Sequence, residues 1–187
     1  MKFTPEICFE GGRVRPLVAE DRDALFQLFQ TPELPGQHPV QKPEQLERMI
    51  ELSVQMAATQ RGMMWALEVG CEDNWQLQGM VSAYEWQPSL LRTMLRVDGS
   101  PELVIEHRAA ALEVCLNFMA EKYHLHNFGY QWIEGQPPEI VTMLEGLGFE
   151  QAARLRDAWR LGDRRFCDLV QYHRVQRQPA ETTEENG

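Results

Sequence analysis

Residues 146–168 of the chain read GLGFEQAARLRDAWRLGDRRFCD and give its most specific local signal. Gly146 and Gly148 end a short helix that is predicted to begin at Pro138. Two strands follow, and Gly162-Asp163 forms the turn between them. The last part of the chain is therefore predicted to be a short helix followed by an antiparallel pair of strands.

The same reasoning, applied to the rest of the chain, predicts a mixture of strands and helices. In chain order the predicted elements are strands at 7–9 and 14–17, helices at 21–29 and 43–62, strands at 64–69, 77–84 and 90–97, a helix at 106–123, a strand at 127–133, a helix at 138–146, and strands at 149–155 and 166–172. This order predicts an α/β fold of the α+β kind, with one central, mixed and mostly antiparallel sheet and helices on both faces. A Rossmann repeat fits less well, because it would alternate strands and helices strictly.

The composition indicates one soluble domain with an acidic surface. The chain has 187 residues and a hydrophobic share of 43%, which is enough for one sizeable core. We expect a single domain over residues 1–175 and a disordered acidic tail over residues 176–187, because the tail has no apolar residue beyond one alanine. The formal net charge of −10 argues against a nucleic-acid partner, since phosphates require a basic surface.

No stretch is typical of a membrane span or a secretory signal, so we expect a cytoplasmic protein with no membrane partner.

Four cysteines lie far apart in the chain: Cys8, Cys71, Cys115 and Cys167. They form no CxxC pair and are expected to be small buried apolar residues. His124 and His126 lack a third ligand at a suitable spacing, so no metal ion is expected.

Several local stretches carry a likeness to a known family. VRPLVAED, at residues 14–21, combines a strand with a helix start, and the GLGFE turn at 146–150 is followed by LRD at 155–157 and by the Gly162-Asp163 turn. In these motifs and their order the chain resembles the GNAT superfamily of acyl-CoA N-acyltransferases. It is most similar to the branch that acetylates N-terminal amines of ribosomal proteins. The resemblance covers residues 12–175 and implies acetyl-CoA as cosubstrate.

A further stretch, EHRAAAL at residues 106–112, lies where that family carries its acyl-CoA loop. A loop that leads into a helix presents unpaired N–H groups and the positive end of the helix dipole, which suit a diphosphate. The resemblance places the acyl-CoA site at Val104, Ile105, Glu106, Arg108, Ala109, Ala110, Ala111 and Leu112.

This stretch departs from the family pattern. Ala109 stands in place of a glycine and reduces the close approach of the backbone to phosphates. Glu106 stands in place of Gln or Arg, and at about 4 Å from a phosphate its charge would cost a few kcal/mol. Arg108 would offset that repulsion. Alternatively, Glu106 only favours the helix N-terminus and has no part in ligand binding.

The family's usual proton donors are also missing. The corresponding positions are Pro137, Ile140 and Leu144, and none of them can donate a proton. The donor to the oxyanion is expected to be a backbone N–H within residues 90–97 or 103–105.

Glu134 and Glu85 are the candidates for the base that deprotonates the amine, because each lies at the end of a predicted strand. Each also fits a solvated carboxylate with no catalytic role. Four tryptophans are expected to form the core or the walls of a cleft: Trp65, Trp86, Trp132 and Trp159.

The leading hypothesis is an N-acetyltransferase that moves an acetyl group from acetyl-CoA to a primary amine of a small molecule or peptide, by direct attack on the thioester. The alternatives are a GNAT-fold protein with weakened catalysis that acts by binding a ligand or a protein, and a structural partner of other proteins. The structure can distinguish them at the opening between strands 90–97 and 127–133, which is either clear or filled by Trp132 or Leu91. The sequence leaves the oligomeric state open, a homodimer included.

Overall fold

A computed structural model of the chain describes residues 3–176. This part of the chain contains eight strands and four α-helices. In chain order they are β1 (Ile7–Phe9), β2 (Gly12–Pro16), α1 (Arg22–Leu28), α2 (Glu44–Ala58), β3 (Met63–Cys71), β4 (Asn74–Gln87), β5 (Arg92–Gly99), α3 (Ile105–Tyr123), β6 (Asn127–Ile133), α4 (Glu139–Gly146), β7 (Glu150–Gly162) and β8 (Arg165–Val175). The predicted acidic tail, apart from Gln176, lies outside the described residues.

Each predicted helix and strand is found. The largest boundary difference is at the end of β7, which was predicted at residue 155 and lies at Gly162, and the boundaries between β4 and β5 also differ. β4 continues past the predicted end to Gln87, through an irregularity after Tyr84. Pro88 then begins a short 3-10 turn, for which its fixed φ is suited. Leu91 ends the turn with a left-handed backbone, φ 48°, so β5 begins at Arg92.

The strands form one sheet in the order β1-β2-β3-β4-β5-β6-β8-β7. Within the described chain, all neighbouring strands are antiparallel except β5 and β6. A parallel pair requires a crossover connection, and α3 provides it. The predicted mixed and mostly antiparallel sheet is confirmed.

Helices cover both faces of the sheet, because successive residues of a strand point to opposite faces. α3 packs on the face that carries Trp65, Val81 and Val97. α1 and α2 pack on the other face, against Ala66 and Met80. The segment between α1 and α2 therefore starts and ends on the face opposite to α3.

α3 is held to the sheet by an apolar face that the sequence predicts. Its four predicted core side chains are fully buried: Leu112, Cys115, Leu116 and Met119. Full burial of a side chain of this size contributes about 1.5–3 kcal/mol. This burial fixes the position of the first turn of α3 relative to β5.

Two of the four cysteines do not match the prediction that all are buried. Cys115 and Cys167 are buried, but Cys8 and Cys71 are exposed. Cys8 lies on the short edge strand β1, and Cys71 lies at the hairpin turn that ends β3.

No helix within residues 3–176 has the length and apolar character needed to cross a membrane.

Candidate functional site

The sheet contains a gap between its two parallel strands. β5 and β6 are paired from Arg92 with Asn127 to Leu95 with Tyr130, and they diverge beyond that point. We call the gap between residues 96–99 and residues 131–133 the sheet opening. Backbone groups that face this gap cannot bond to a neighbouring strand and must find other partners.

Two side chains occupy the sheet opening. The backbone N–H of Val97 donates to Tyr130 Oη at 3.4 Å, and Arg108 Nη1 donates to Val97 O at 3.0 Å. Tyr130 is 2% exposed, and burial raises the pKa of its phenol to about 12. The phenol therefore stays protonated at neutral pH, and its own hydrogen is not used in the bond with Val97.

Arg108 also binds a carboxylate from the far side of the sheet. Its Nη1 donates to Glu33 Oε2 at 2.9 Å, and its Nη2 donates to Glu33 Oε1. Burial is the largest single effect and lowers the pKa of Arg108, but the hydrogen bonds to Glu33 and the negative charges of Glu33 and Asp98 together outweigh it, so the pKa is raised. Because Arg108 lies on α3 and Glu33 lies between α1 and α2, the ion pair passes through the sheet opening.

Gly99 makes room for this arrangement. A Cβ atom at Gly99 would lie 2.6 Å from Arg108 Nη2 and 2.5 Å from a methyl carbon of Leu103. Any larger residue would therefore displace the guanidinium. The missing side chain at Gly99 allows Arg108, which is only 5% exposed, to reach the opening.

The segment that carries Glu33 is fixed against the last hairpin. Trp159 Nε1 donates to Pro35 O at 2.8 Å, and Leu34 is buried in a cluster with Ile133 and Leu169. These contacts hold the carboxylate of Glu33 at the opening, where it can meet a cation.

Gly36 allows this segment to lie flat on β7. It has φ +76°, a conformation that favours glycine, and a Cβ atom there would lie 2.6 Å from the Cα atom of Leu161. The backbone of the segment can therefore approach the backbone of β7 only because position 36 is a glycine.

The N-terminus of α3 has no side-chain cap. Val104 is the N-cap residue, with extended backbone angles and no side-chain hydrogen bond. The first helical bond to Val104 O comes from the N–H of Arg108. The N–H groups of Ile105, Glu106 and His107 thus precede the helical bonding pattern, and no side chain within residues 3–176 accepts from them. They remain available to an anion.

An apolar groove of about 440 Å³ lies between the first turn of α3 and α4. Ile105, Ala109 and Met143 line it, together with the carboxylates of Glu106 and Glu139. Its size and apolar lining suit a flexible organic chain. Its two carboxylates do not suit an anion.

The predicted acyl-CoA residues divide between different surroundings. Glu106 and Val104 are exposed, Ile105 and Ala109 are half-buried in the wall of the groove, and Ala110 is half-buried outside it. The remaining predicted residues point inward: Arg108, Ala111 and Leu112. Ala111 and Leu112 are fully buried in the core, and Arg108 points into the sheet opening, away from the helix end where it was expected to offset Glu106.

Neither predicted base occupies the sheet opening. Glu134 is half-exposed, accepts from the N–H of Asp168 at 3.3 Å and lies 3.6 Å from Arg154. Glu85 lies at the opposite end of β5, past the pairing of Tyr84 with Met94, where it lines a pocket of about 70 Å³. Their role as bases stays a prediction.

The positions expected to lack a proton donor do lack one. Ile140 and Leu144 are buried in the core, and Pro137 O accepts from Trp132 Nε1 at 3.3 Å. Tyr130 instead brings a hydroxyl group into the opening. Tyr130 was not singled out from the sequence. It is one of three aromatic residues in the predicted strand 127–133, and the sequence does not show which of them reaches the opening.

Neither Trp132 nor Leu91 fills the opening. Leu91 is 41% exposed in the turn before β5, and Trp132 is half-buried with its indole directed towards Pro137. Trp65 and Trp86 belong to the core. In the described part of the chain, no group of three or more His, Cys, Asp or Glu side chains could hold a metal ion.

No protein-family model matches the sequence, and no curated protein sequence matches it. Solved structures do match. A probable acetyltransferase has a TM-score of 0.78 at 19% identity, over 90% of this chain and 94% of that one. A ribosomal-protein alanine acetyltransferase from Vibrio fischeri has a TM-score of 0.75 at 15% identity, over 91% and 96%.

A ribosomal-protein α-N-acetyltransferase, solved in complex with coenzyme A, also matches, with a TM-score of 0.76 at 15% identity over 91% of this chain and 97% of that one. At such low identity the likeness shows the fold, and the activity has to be argued from the site itself.

Proposed function

Because the chain has the fold of the GNAT acetyltransferases, we propose that it transfers an acetyl group from acetyl-CoA to a primary amine of a small molecule or a peptide. One observation carries the proposal. The uncapped N-terminus of α3 lies beside a sheet opening in which the N–H of Val97 points towards β6 but bonds to Tyr130 Oη and not to a backbone group. A phosphate site and a backbone N–H that would serve as the oxyanion donor, once Tyr130 releases it, therefore lie close together.

The N–H groups at residues 105–107 would bind the diphosphate of acetyl-CoA, helped by the positive end of the α3 dipole. The apolar groove between α3 and α4 would hold part of the pantetheine chain. Glu106 and Glu139 oppose a bound anion, so we expect weak binding that becomes stronger when either charge is removed.

The proposed reaction is a direct transfer. The lone pair of the neutral amine attacks the thioester carbonyl carbon, the C–N bond forms and the C–S bond breaks. The amine nitrogen loses a proton and the thiolate gains one, giving an amide and free coenzyme A. The N–H of Val97 would stabilise the developing oxyanion, an effect worth roughly 3–4 kcal/mol for one well-placed donor. The oxyanion would take the place of Tyr130 Oη at the N–H of Val97, and the protonated phenol of Tyr130 would supply the proton for the thiolate. The proton that the amine nitrogen loses would restore the phenol.

A direct assay tests this proposal. The purified protein is mixed with acetyl-CoA and a panel of primary amines that includes polyamines and peptides with free N-termini. Release of free thiol and the mass of the acetylated product are both recorded. We expect thiol release that depends on the amine, and a rise in melting temperature with coenzyme A alone. The proposal is refuted if no amine causes thiol release and coenzyme A does not raise the melting temperature.

One observation favours the alternative of a protein that binds without turnover. Arg108 and Tyr130 already use both backbone groups of Val97 that face the opening. If these side chains never leave, a thioester cannot reach Val97. Coenzyme A would then stabilise the protein without any thiol release from acetyl-CoA, and this combination of results distinguishes the two functions.

A further inference from the structure

We propose that Glu33 binds the ammonium group of the acceptor, and that Arg108 occupies this cation position until the thioester enters the sheet opening. This inference rests on the proposed function. It also identifies the acceptor as a cation. It starts from the one ion pair within residues 3–176 that joins the two faces of the sheet.

Arg108 has to leave the opening for acyl transfer to occur. Its Nη1 donates to Val97 O at 3.0 Å, on the same edge of β5 whose N–H would bind the oxyanion. A thioester at that edge and a guanidinium cannot share the space, because Arg108 is almost fully buried there. Movement of Arg108 breaks its bonds to Val97 and to Glu33 together.

Glu33 cannot follow Arg108, because its neighbours hold it in place. Pro35 is bonded to Trp159, and Leu34 is buried against Ile133. The side chain of Glu33 is only 19% exposed. A carboxylate in such a position requires a cation as partner, since burial without one is strongly unfavourable.

The charges around the opening then favour a positively charged ligand. Besides the Arg108–Glu33 pair, the nearby charged side chains are Arg96 and Asp98, which are bonded to each other. With Arg108 in place the four formal charges sum to zero. Without Arg108 they sum to −1, and Arg96 is already committed to Asp98. The cation that replaces Arg108 must therefore come from outside the protein.

The position of Glu33 assigns this cation to the acceptor. Glu33 approaches the opening from the face opposite to α3, where its neighbour Leu34 packs on Ile133, whereas the uncapped end of α3 and its groove lie on the other face. A ligand that binds Glu33 would therefore meet the thioester across the sheet. A primary ammonium group is smaller than guanidinium and can make the same charged hydrogen bonds. It gives one proton to the carboxylate of Glu33 before its nitrogen attacks the thioester as the neutral amine. Amines that are uncharged at neutral pH would lose this interaction.

The replacement of Arg108 by the amine at Glu33 also predicts that the two substrates bind cooperatively. The thioester displaces Arg108, and this frees Glu33 for the amine. The amine in turn stabilises the state in which Arg108 is displaced. Each ligand should therefore raise the affinity of the other by the same factor.

The first test does not depend on acetyl transfer. The Arg108→Ala variant leaves space and an unpaired Glu33. We expect n-butylammonium to raise the melting temperature of Arg108→Ala more than that of the wild type, and n-butanol to have no such effect. The double variant Glu33→Gln, Arg108→Ala should not respond. An equal response of the single and double variants would overturn the proposal.

The second test uses Glu33→Gln, which keeps the side-chain shape and retains Arg108, with Glu51→Gln on the exposed side of α2 as matched control. We expect Glu33→Gln to raise the KM for a cationic amine at least tenfold, with unchanged affinity for coenzyme A, and Glu51→Gln to behave as the wild type. An unchanged KM would overturn the role of Glu33. If the wild type transfers no acetyl group at all, the proposed function fails, and the butylammonium result alone judges the cation site.

Discussion

Arg108 and Glu33 come from opposite faces of the sheet and form a doubly hydrogen-bonded ion pair inside it. They lie 75 positions apart in the chain. Their meeting point is the only place in the described sheet where neighbouring parallel strands diverge. The pair therefore neutralises the charges at this site and closes the sheet opening. Both effects depend on the segment between α1 and α2, because it carries Glu33.

The ion pair should contribute to stability mainly through the cost of breaking it. Removal of one partner from a buried pair costs about 3–5 kcal/mol, because the other charge is left without a partner. We expect Arg108→Met to lower the free energy of unfolding by about that amount in urea titrations. The double variant with Glu33→Gln should recover part of the loss. Arg48→Met, at an exposed position on α2, should change stability by less than about 0.5 kcal/mol.

A side-chain cap on α3 should compete with the diphosphate. Val104 is 48% exposed and has the extended backbone of an N-cap residue, so serine can replace it without loss of core packing. We expect Val104→Ser to stabilise the free protein by about 0.5–2 kcal/mol. It should also weaken coenzyme A binding roughly threefold or more, because the hydroxyl takes an N–H that the phosphate needs. Calorimetric titration measures the affinity, and Val175→Ser at the end of β8 is the control. Tighter binding by Val104→Ser would contradict the assignment of this helix end.

The negative charge of Glu106 should weaken the same interaction. We expect Glu106→Gln to raise the affinity for coenzyme A by roughly 3- to 10-fold at low salt, since the repulsion of an exposed charge is about 1 kcal/mol. The gain should decrease as salt is added. Glu113→Gln, about two turns further along α3 and also exposed, should bind as the wild type does. If both variants gain equally, the effect is one of net charge and not of this site.

Tyr130→Phe should affect both the chemistry and the alkaline stability. We expect at least a tenfold fall in turnover, because the thiolate loses its proton donor, with little change in coenzyme A affinity.

The pH effect follows from burial, which raises the pKa of Tyr130 from 10.0 to about 12. The unfolded chain releases this proton first, so the wild type should lose stability as pH rises from 10 towards 12. Tyr130→Phe should lose less over that range in urea titrations. An identical slope for both proteins would contradict this assignment.

Gly36→Ala should release the segment that carries Glu33. The added Cβ atom would lie 2.6 Å from the backbone of Leu161, and the positive φ adds strain of about 1–2 kcal/mol. We expect lower stability, faster amide exchange over residues 31–43 and a higher KM for the amine. Gly146→Ala, where no atom lies within 4 Å of the new Cβ, is the control and should leave stability unchanged or improved. Unchanged exchange in Gly36→Ala would show that the segment is held by other contacts.

Much of the fold could be predicted from local patterns. The apolar face of α3, the Gly162-Asp163 turn and the stop at Gly146 depend on residues close together in the chain, and each was confirmed. The end of β4 was placed less well, because the irregularity after Tyr84 depends on pairing with β5.

The candidate site was only partly predictable. The uncapped helix start at Val104 has a local signal, namely the absence of a capping residue before a strong helix. Glu33 has no such signal, because it lies in a segment of irregular structure among prolines. Arg108 was expected to meet phosphates on the surface, and it points inward instead.

The order of helices and strands and the position of the uncapped helix start follow from residues near one another in the chain, and the acidic character follows from composition, so all three could be inferred without a structure. The meeting of Tyr130, Arg108 and Glu33 in the sheet opening depends on the packing of distant parts of the chain and has no local signal. Because β5 and β6 diverge, the backbone of Val97 is paired with β4 on one side only, and distant side chains satisfy its groups on the other side.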